Sequence, residues 1–138
     1  MKKKMLAGFL IGIAAAVLCL LLWRPWTHSS GVRVFVDGEA VSVPVLLKEE
    51  TDLQVHLTLD GQEIAVFPFG KAHTVRILQE NGDENSLLLT GESVRMESAN
   101  CEGQDCVHME EITRDNLETR VMFGMIICLP HKLSVEVR

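Results

Sequence analysis

Residues 53–67 read Leu53-Gln54-Val55-His56-Leu57-Thr58-Leu59-Asp60-Gly61-Gln62-Glu63-Ile64-Ala65-Val66-Phe67, and this stretch decides the fold. On its first limb apolar and polar residues alternate with a period of two, which assigns them to opposite faces of a strand. Asp60-Gly61 interrupts the alternation, and a largely apolar limb returns. A two-residue Asp-Gly connection between such limbs is the favoured hairpin signal, because both central positions of a type I′ turn need positive φ. The same grammar occurs upstream, where Val32-Arg33-Val34-Phe35-Val36 meets Asp37-Gly38 and returns as Glu39-Ala40-Val41-Ser42-Val43. Two such turns predict antiparallel sheet.

Downstream, Pro68, Phe69 and Gly70 break the pattern, Thr74 to Leu78 resumes it, and Asn81-Gly82-Asp83 turns the chain again. Ser86 to Thr90, Gly91, and Ser93 to Met96 form a further predicted hairpin. Met122 to Leu129 (MFGMIICL) is a continuous apolar run, which predicts a strand buried on both faces in the middle of the domain. Lys132 to Val137 alternates almost to the end of the sequence. Glu110 to Leu117 predicts at most one short helical turn, capped by Thr113 or Asp115. About seven to nine short strands with frequent turns make the fold mainly β, a small antiparallel β-sandwich or barrel.

Ahead of this domain, Met5 to Trp23 (MLAGFLIGIAAAVLCLLLW) carries no charge and no strong polar group. Such a run, taken as helix, is long enough for a hydrocarbon core of about 30 Å. Lys2, Lys3 and Lys4 precede it and only Arg24 follows closely, so the positive-inside bias keeps the N-terminus in the cytoplasm and sends the domain outward. A cleaved signal peptide is the rival reading. Its apolar region would be about 7–15 residues ending in a small-x-small site, whereas this run is longer and exits through Trp-Arg-Pro-Trp. Cys19 follows Leu18 rather than the small residue of a lipoprotein site, and reads as a small apolar residue in lipid, with reversible acylation as the alternative. The expected organisation is therefore a cytoplasmic start and single transmembrane helix over 1–26, a linker over 27–31, and an extracytoplasmic β domain over 32–138.

Residues 31–138 hold all 19 acidic residues and nine of the 13 basic ones, so the outer domain carries ten more negative charges than positive. Such a domain repels phosphate backbones and anionic lipid. The expected partners are the membrane, through Met5 to Trp23, and an envelope protein; nucleic acid is not among them.

Within the outer domain, chemistry would concentrate at Cys101, Cys106 and Cys128. Val36-Asp37-Gly38-Glu39, Asn85 to Cys101 (NSLLLTGESVRMESANC), Cys106-Val107 and Ile126 to Val137 (IICLPHKLSVEV) together resemble the NusG domain II family. That resemblance implies a compact β fold of largely unknown biochemical role, often found in small membrane-anchored proteins of Gram-positive bacteria, with an Ala-Asn-Cys-Pro, Cys-Val and Cys-Leu-Pro-Asn/His pattern. This chain departs from the pattern at Glu102, where the family has Pro, and at Glu110, where it has Gly. Its segment between Cys106 and Cys128 is also several residues longer. The family name derives from a domain inserted in some transcription elongation factors, but none of their other domains is recognisable here.

Three readings of the thiols follow. The first is a structural disulfide plus one packed thiol. Closing Cys101 to Cys106 makes a loop worth about 2 kcal/mol, and joining either to Cys128 about 3.5 kcal/mol, but geometry decides the pair. The polar Glu-Gly-Gln-Asp turn can bring Cys101 and Cys106 into bridging range, so that pair is expected first and Cys106–Cys128 second. The second reading is a Cys3His metal set, Cys101, Cys106 and Cys128 with His131 or His108. Met96, Met109, Met122 and Met125 would extend it to copper, although Met in an apolar strand is ordinarily core filling. The third is a reactive Cys106 activated by His108, two residues on and on the same face of an extended segment.

No Cys-x-x-Cys, Cys-x-x-Cys-His or Gly-x-Ser-x-Gly motif is present. His28, His56 and His73 read as surface or strand residues. No catalytic residue and no cofactor is therefore assigned. Two function classes stand: a non-catalytic binding or accessory module of the cell envelope, and a thiol-redox or metal-binding protein built on Cys101, Cys106, Cys128 and His131.

Overall fold

Both Asp-Gly dipeptides make the turns they predict. Asp37 and Gly38 have φ of 52° and 89°, and Asp60 and Gly61 have φ of 48° and 81°, the all-positive pair that a type I′ hairpin requires. The computed structural model describes residues 31–47, 49 and 51–138; the predicted anchor, with Cys19 and His28, lies outside them. Residues 31–138 form one compact unit, in which eleven strands fall into two sheets.

The first hairpin is β1 (Val32–Val36) with β2 (Glu39–Val41). It joins β6 (Ala72–Gln79), β7 (Glu84–Thr90), β8 (Ser93–Ala99) and β9 (Ile112–Thr113) in a six-stranded antiparallel sheet of order β2-β1-β6-β7-β8-β9. The second hairpin is β4 (Gln54–Leu59) with β5 (Gln62–Pro68). Together with β3 (Val45–Leu46), β10 (Met125–Cys128) and the final β11 (Leu133–Val137), it makes a five-stranded sheet of order β10-β11-β4-β5-β3. That sheet is mixed, since β3 runs parallel to β5 with Val45 opposite Ala65. No hairpin joins those two strands, so nothing forces them to be antiparallel.

Alternation supplies the core. Val55, Leu57 and Leu59 of β4, Leu87 and Leu89 of β7, and Leu133, Val135 and Val137 of β11 are all buried, and one hydrophobic cluster draws on both sheets. Burying each such side chain contributes about 1.5–3 kcal/mol. The strand covered on both faces is β5, where Ile64, Ala65, Val66 and Phe67 are all buried.

This corrects the expectation for Met122 to Leu129. Only Met125–Cys128 of that run is strand; it lies at a sheet edge and alternates between half-buried and buried residues. Val121, Phe123 and Leu129 are 95%, 68% and 79% exposed. A turn precedes β10: Phe123 has φ of 49°, and a Cβ on Gly124 would stand 2.4 Å from the Val137 carbonyl oxygen. Apolar composition alone cannot separate a doubly covered strand from a turn followed by an edge strand.

The helical turn expected over Glu110 to Leu117 is also displaced. The short helix, α1 (Asp105–His108), comes earlier, and residues 112–113 are β9. The longer segment before β10 is held instead by Arg120, which is buried. Its Nη1 donates to the carbonyls of Phe123 at 2.8 Å and Met125 at 3.1 Å, and its Nη2 to that of Glu110. Burial lowers the Arg120 pKa, and the Glu110 carboxylate partly offsets it.

Gly61→Ala places a Cβ at φ +81° with no neighbour within 4 Å. It is expected to lower stability by about 1–2 kcal/mol through backbone strain alone. Gly70→Ala also meets nothing within 4 Å and lacks positive φ, so it should be near neutral. Denaturant unfolding of both variants checks this, and equal effects would refute the turn assignment.

Asp37 closes the first hairpin, its carboxylate held below the ordinary range by His73 Nδ1 at 2.8 Å and then by the Thr74 N–H at 2.9 Å. A carboxylate with a depressed folded pKa stabilises above its unfolded value of about 4, and that contribution is lost as pH falls through the folded value. Asp37→Asn keeps a residue tolerant of positive φ. It should lower Tm at neutral pH and shrink the fall in Tm between pH 7 and pH 3; an unchanged pH dependence would contradict the role given to Asp37.

Candidate functional site

The three cysteines converge at one end of the domain, each carried there by a different element. Cys101 leaves β8 through Asn100, whose Oδ1 accepts the Glu84 N–H at 2.8 Å and whose Nδ2 donates to Gly82 at 2.9 Å. Gln104 then turns the chain with φ of 50°, and its Nε2 donates to the Ala99 carbonyl at 3.1 Å. This small loop delivers Cys106 on α1. Cys128 is the last residue of β10, on the same inward face as Ile126. His131 lies in the turn to β11, and its carbonyl accepts Gln79 Nε2 at 2.9 Å.

All three cysteines and His131 are buried. Cys101 Sγ and Cys106 Sγ are 3.9 Å apart. All three are free thiols, so the expected Cys101–Cys106 disulfide, which would need about 2.05 Å, is not formed here, although the pair is in contact. The Cys101 and Cys128 sulfurs and one His131 ring nitrogen all lie within 4.8 Å of one another.

His131, and not His108, is thus the histidine brought to the thiols. Cys106 and His108 do not share an extended face: both are on α1, Cys106 buried and His108 exposed. Two residues of helix turn the side chains about 200° apart. Met96 is core, its sulfur 3.5 Å from Asn85 Nδ2, and Met122 is exposed.

The residue that sequence reading missed is Asn85. It is buried on the inward face of β7 with Leu87 and Leu89, and its Oδ1 meets His131 Nδ1 at 2.7 Å. A polar residue at the apolar phase of a strand was the available signal, since a buried amide requires a partner. Asp83 completes the surroundings, its Oδ1 3.6 Å from His131 Nε2.

A cavity of about 60 Å³ adjoins the thiols, lined by Cys101, Gln104, Asp105, Cys106, Cys128 and Pro130 among others. It admits a water or an ion and no large substrate. Burial pushes the Cys106 thiol up to about 12, and the neighbouring thiols of Cys128 and Cys101 add to the shift. At neutral pH Cys106 is therefore a thiol, the weakly nucleophilic form.

A small domain of two β-sheets with a buried thiol–histidine cluster at one end is the class that fold and site define. The chain belongs to the NusG domain II family, whose sequence profile matches residues 6–138. Among solved structures, a DUF1312 family protein from Enterococcus faecalis V583 is similar at 28% identity and a TM-score of 0.54, over 62% of this chain and 95% of that one. The Lin0431 protein from Listeria innocua is similar in fold at 22% identity and a TM-score of 0.53, over 62% and 94%. No curated protein matches.

Under reducing conditions at pH 7.5, iodoacetamide is expected to modify Cys106 far more slowly in the folded protein than in denaturant. Peptide mass mapping over time reads this directly, and equal rates in both states would contradict the buried, protonated thiol.

Proposed function

We propose that the protein is a single-pass membrane protein whose β domain stands outside the cytoplasm and serves the cell envelope as a non-catalytic binding or accessory module. The observation that carries this reading is the uncharged run Met5 to Trp23 behind Lys2, Lys3 and Lys4. A run of that length and flanking charge suits a signal anchor oriented with its N-terminus inside. The acidic excess of the following domain suits an aqueous compartment and disfavours nucleic acid or an anionic bilayer surface as a partner. A protein or a cation is the partner chemistry that such a surface accommodates.

Fusions of alkaline phosphatase or green fluorescent protein after Arg138 test the topology. The phosphatase fusion is expected to be active and the fluorescent fusion dark, with the full-length chain in the membrane fraction and its domain digested by protease added to intact protoplasts. A bright fluorescent fusion or a protease-protected domain would overturn the reading. In-cell crosslinking from the same domain identifies the partner.

A further inference from the structure

Cys101 follows β8 while Cys128 and His131 lie on the β10–β11 hairpin, yet the ligand atoms of all three lie within 4.8 Å of one another and all three residues are buried. Tetrahedral zinc, with Zn–S near 2.3 Å and Zn–N near 2.0–2.1 Å, needs ligand atoms about 3.5–3.8 Å apart. Side-chain rotation that closes the present spacing by about 1 Å meets that requirement.

The tautomer of His131 is set by its neighbour. Asn85 Nδ2 is directed at the Met96 sulfur, so Oδ1 is the atom that faces His131 Nδ1 at 2.7 Å. Nδ1 must then donate, and a neutral ring keeps its lone pair on Nε2. A ligating histidine held through its other nitrogen by a buried acceptor is the usual outer-shell arrangement of a metal site. Asp83 Oδ1, 3.6 Å from Nε2, adds negative potential on that side.

Charge balance selects the metal. Two thiolates and one neutral imidazole around a divalent cation sum to zero, which avoids the cost of burying a net charge. Thiolate with imidazole suits zinc over the hard cations magnesium and calcium. The adjoining cavity, lined by Cys101 and Cys128, has room for a water or an ion beside the two sulfurs.

We propose that Cys101 Sγ, Cys128 Sγ and His131 Nε2 bind one zinc ion, with a fourth position open to the cavity and Cys106 beside the site rather than in it. Binding converts the two thiols to thiolates and releases two protons. The site stands whether or not the envelope placement holds.

The test uses full-length protein in detergent, purified without a histidine tag, kept reduced, stripped with chelator and offered zinc alone. Bound metal is measured by mass spectrometry after desalting, and cobalt(II) serves as an absorbing substitute. One zinc per chain and a sulfur-to-cobalt charge-transfer band are expected. Cys101→Ser, Cys128→Ser and His131→Gln should each weaken zinc binding by more than about tenfold, and Asn85→Ala by about 10–100-fold. Cys106→Ser should bind within about threefold of the parent.

Reduced parent protein that takes up no zinc and gives no charge-transfer band overturns the site, whatever the variants do. Loss of zinc in Cys106→Ser, with its apo form melting like the parent, overturns the three-ligand assignment. A Cys101–Cys106 disulfide that persists under reductant and excludes zinc overturns it also.

Discussion

The insertion of the last strand between β10 and β4 is the constraint on which the rest of the molecule depends. β11 pairs with β4 through Val135 opposite Leu57 and Val137 opposite Val55, and with β10 through Val135 opposite Ile126. The β11–β4 pairing spans most of the domain, and its loop-closure cost is repaid by burying the inward faces together. Gln54 and Arg138 exchange backbone hydrogen bonds at 2.8 and 3.0 Å and lock the register at one end. Asp60 donates its N–H to the Lys132 carbonyl at 2.9 Å at the other. A slip of one residue would turn Leu133, Val135 and Val137 to solvent, which is why the register is unique.

That same strand decides the site. Because β10 and β11 are joined by the turn 129–132, fixing β11 against β4 also fixes where Cys128 and His131 stand. The other half of the cluster belongs to the first sheet, where β7 presents Asn85 and the exit from β8 presents Cys101. The Asn85–His131 hydrogen bond therefore crosses from one sheet to the other, as does Gln79 to the His131 carbonyl. Buried polar contacts of this kind cost a great deal if left unmade, so the two sheets are held in one relation at the thiol end.

Local signals were read correctly where the physics is local. Both Asp-Gly hairpins and the hairpin around Gly91 form as their residues require, because turn conformation depends on the few residues that make it. The reading failed where environment decides. Met122 to Leu129 has the composition of a central strand and supplies a turn and an edge strand, while β5 is the one covered on both sides. Cys106 and His108 share a face only if extended, and α1 parts them. Nothing in the sequence announced Arg120, whose buried guanidinium donates to two carbonyls of the long segment between α1 and β10 and to that of Met125 at the start of β10.

The sequence by itself determined the elements that rest on nearest neighbours: alternating strands, positive-φ turns, the apolar N-terminal run with its lysines, the acidic balance of the domain and the family pattern around its cysteines. Only the tertiary structure decided which histidine stands beside the thiols, which cysteines lie together, and that Asn85 belongs to the cluster. The contacts that join Cys101 and Asn85 to Cys128 and His131 link residues about 27 to 46 positions apart, where chain proximity carries no information and only the shared burial of two sheet faces brings the atoms within reach.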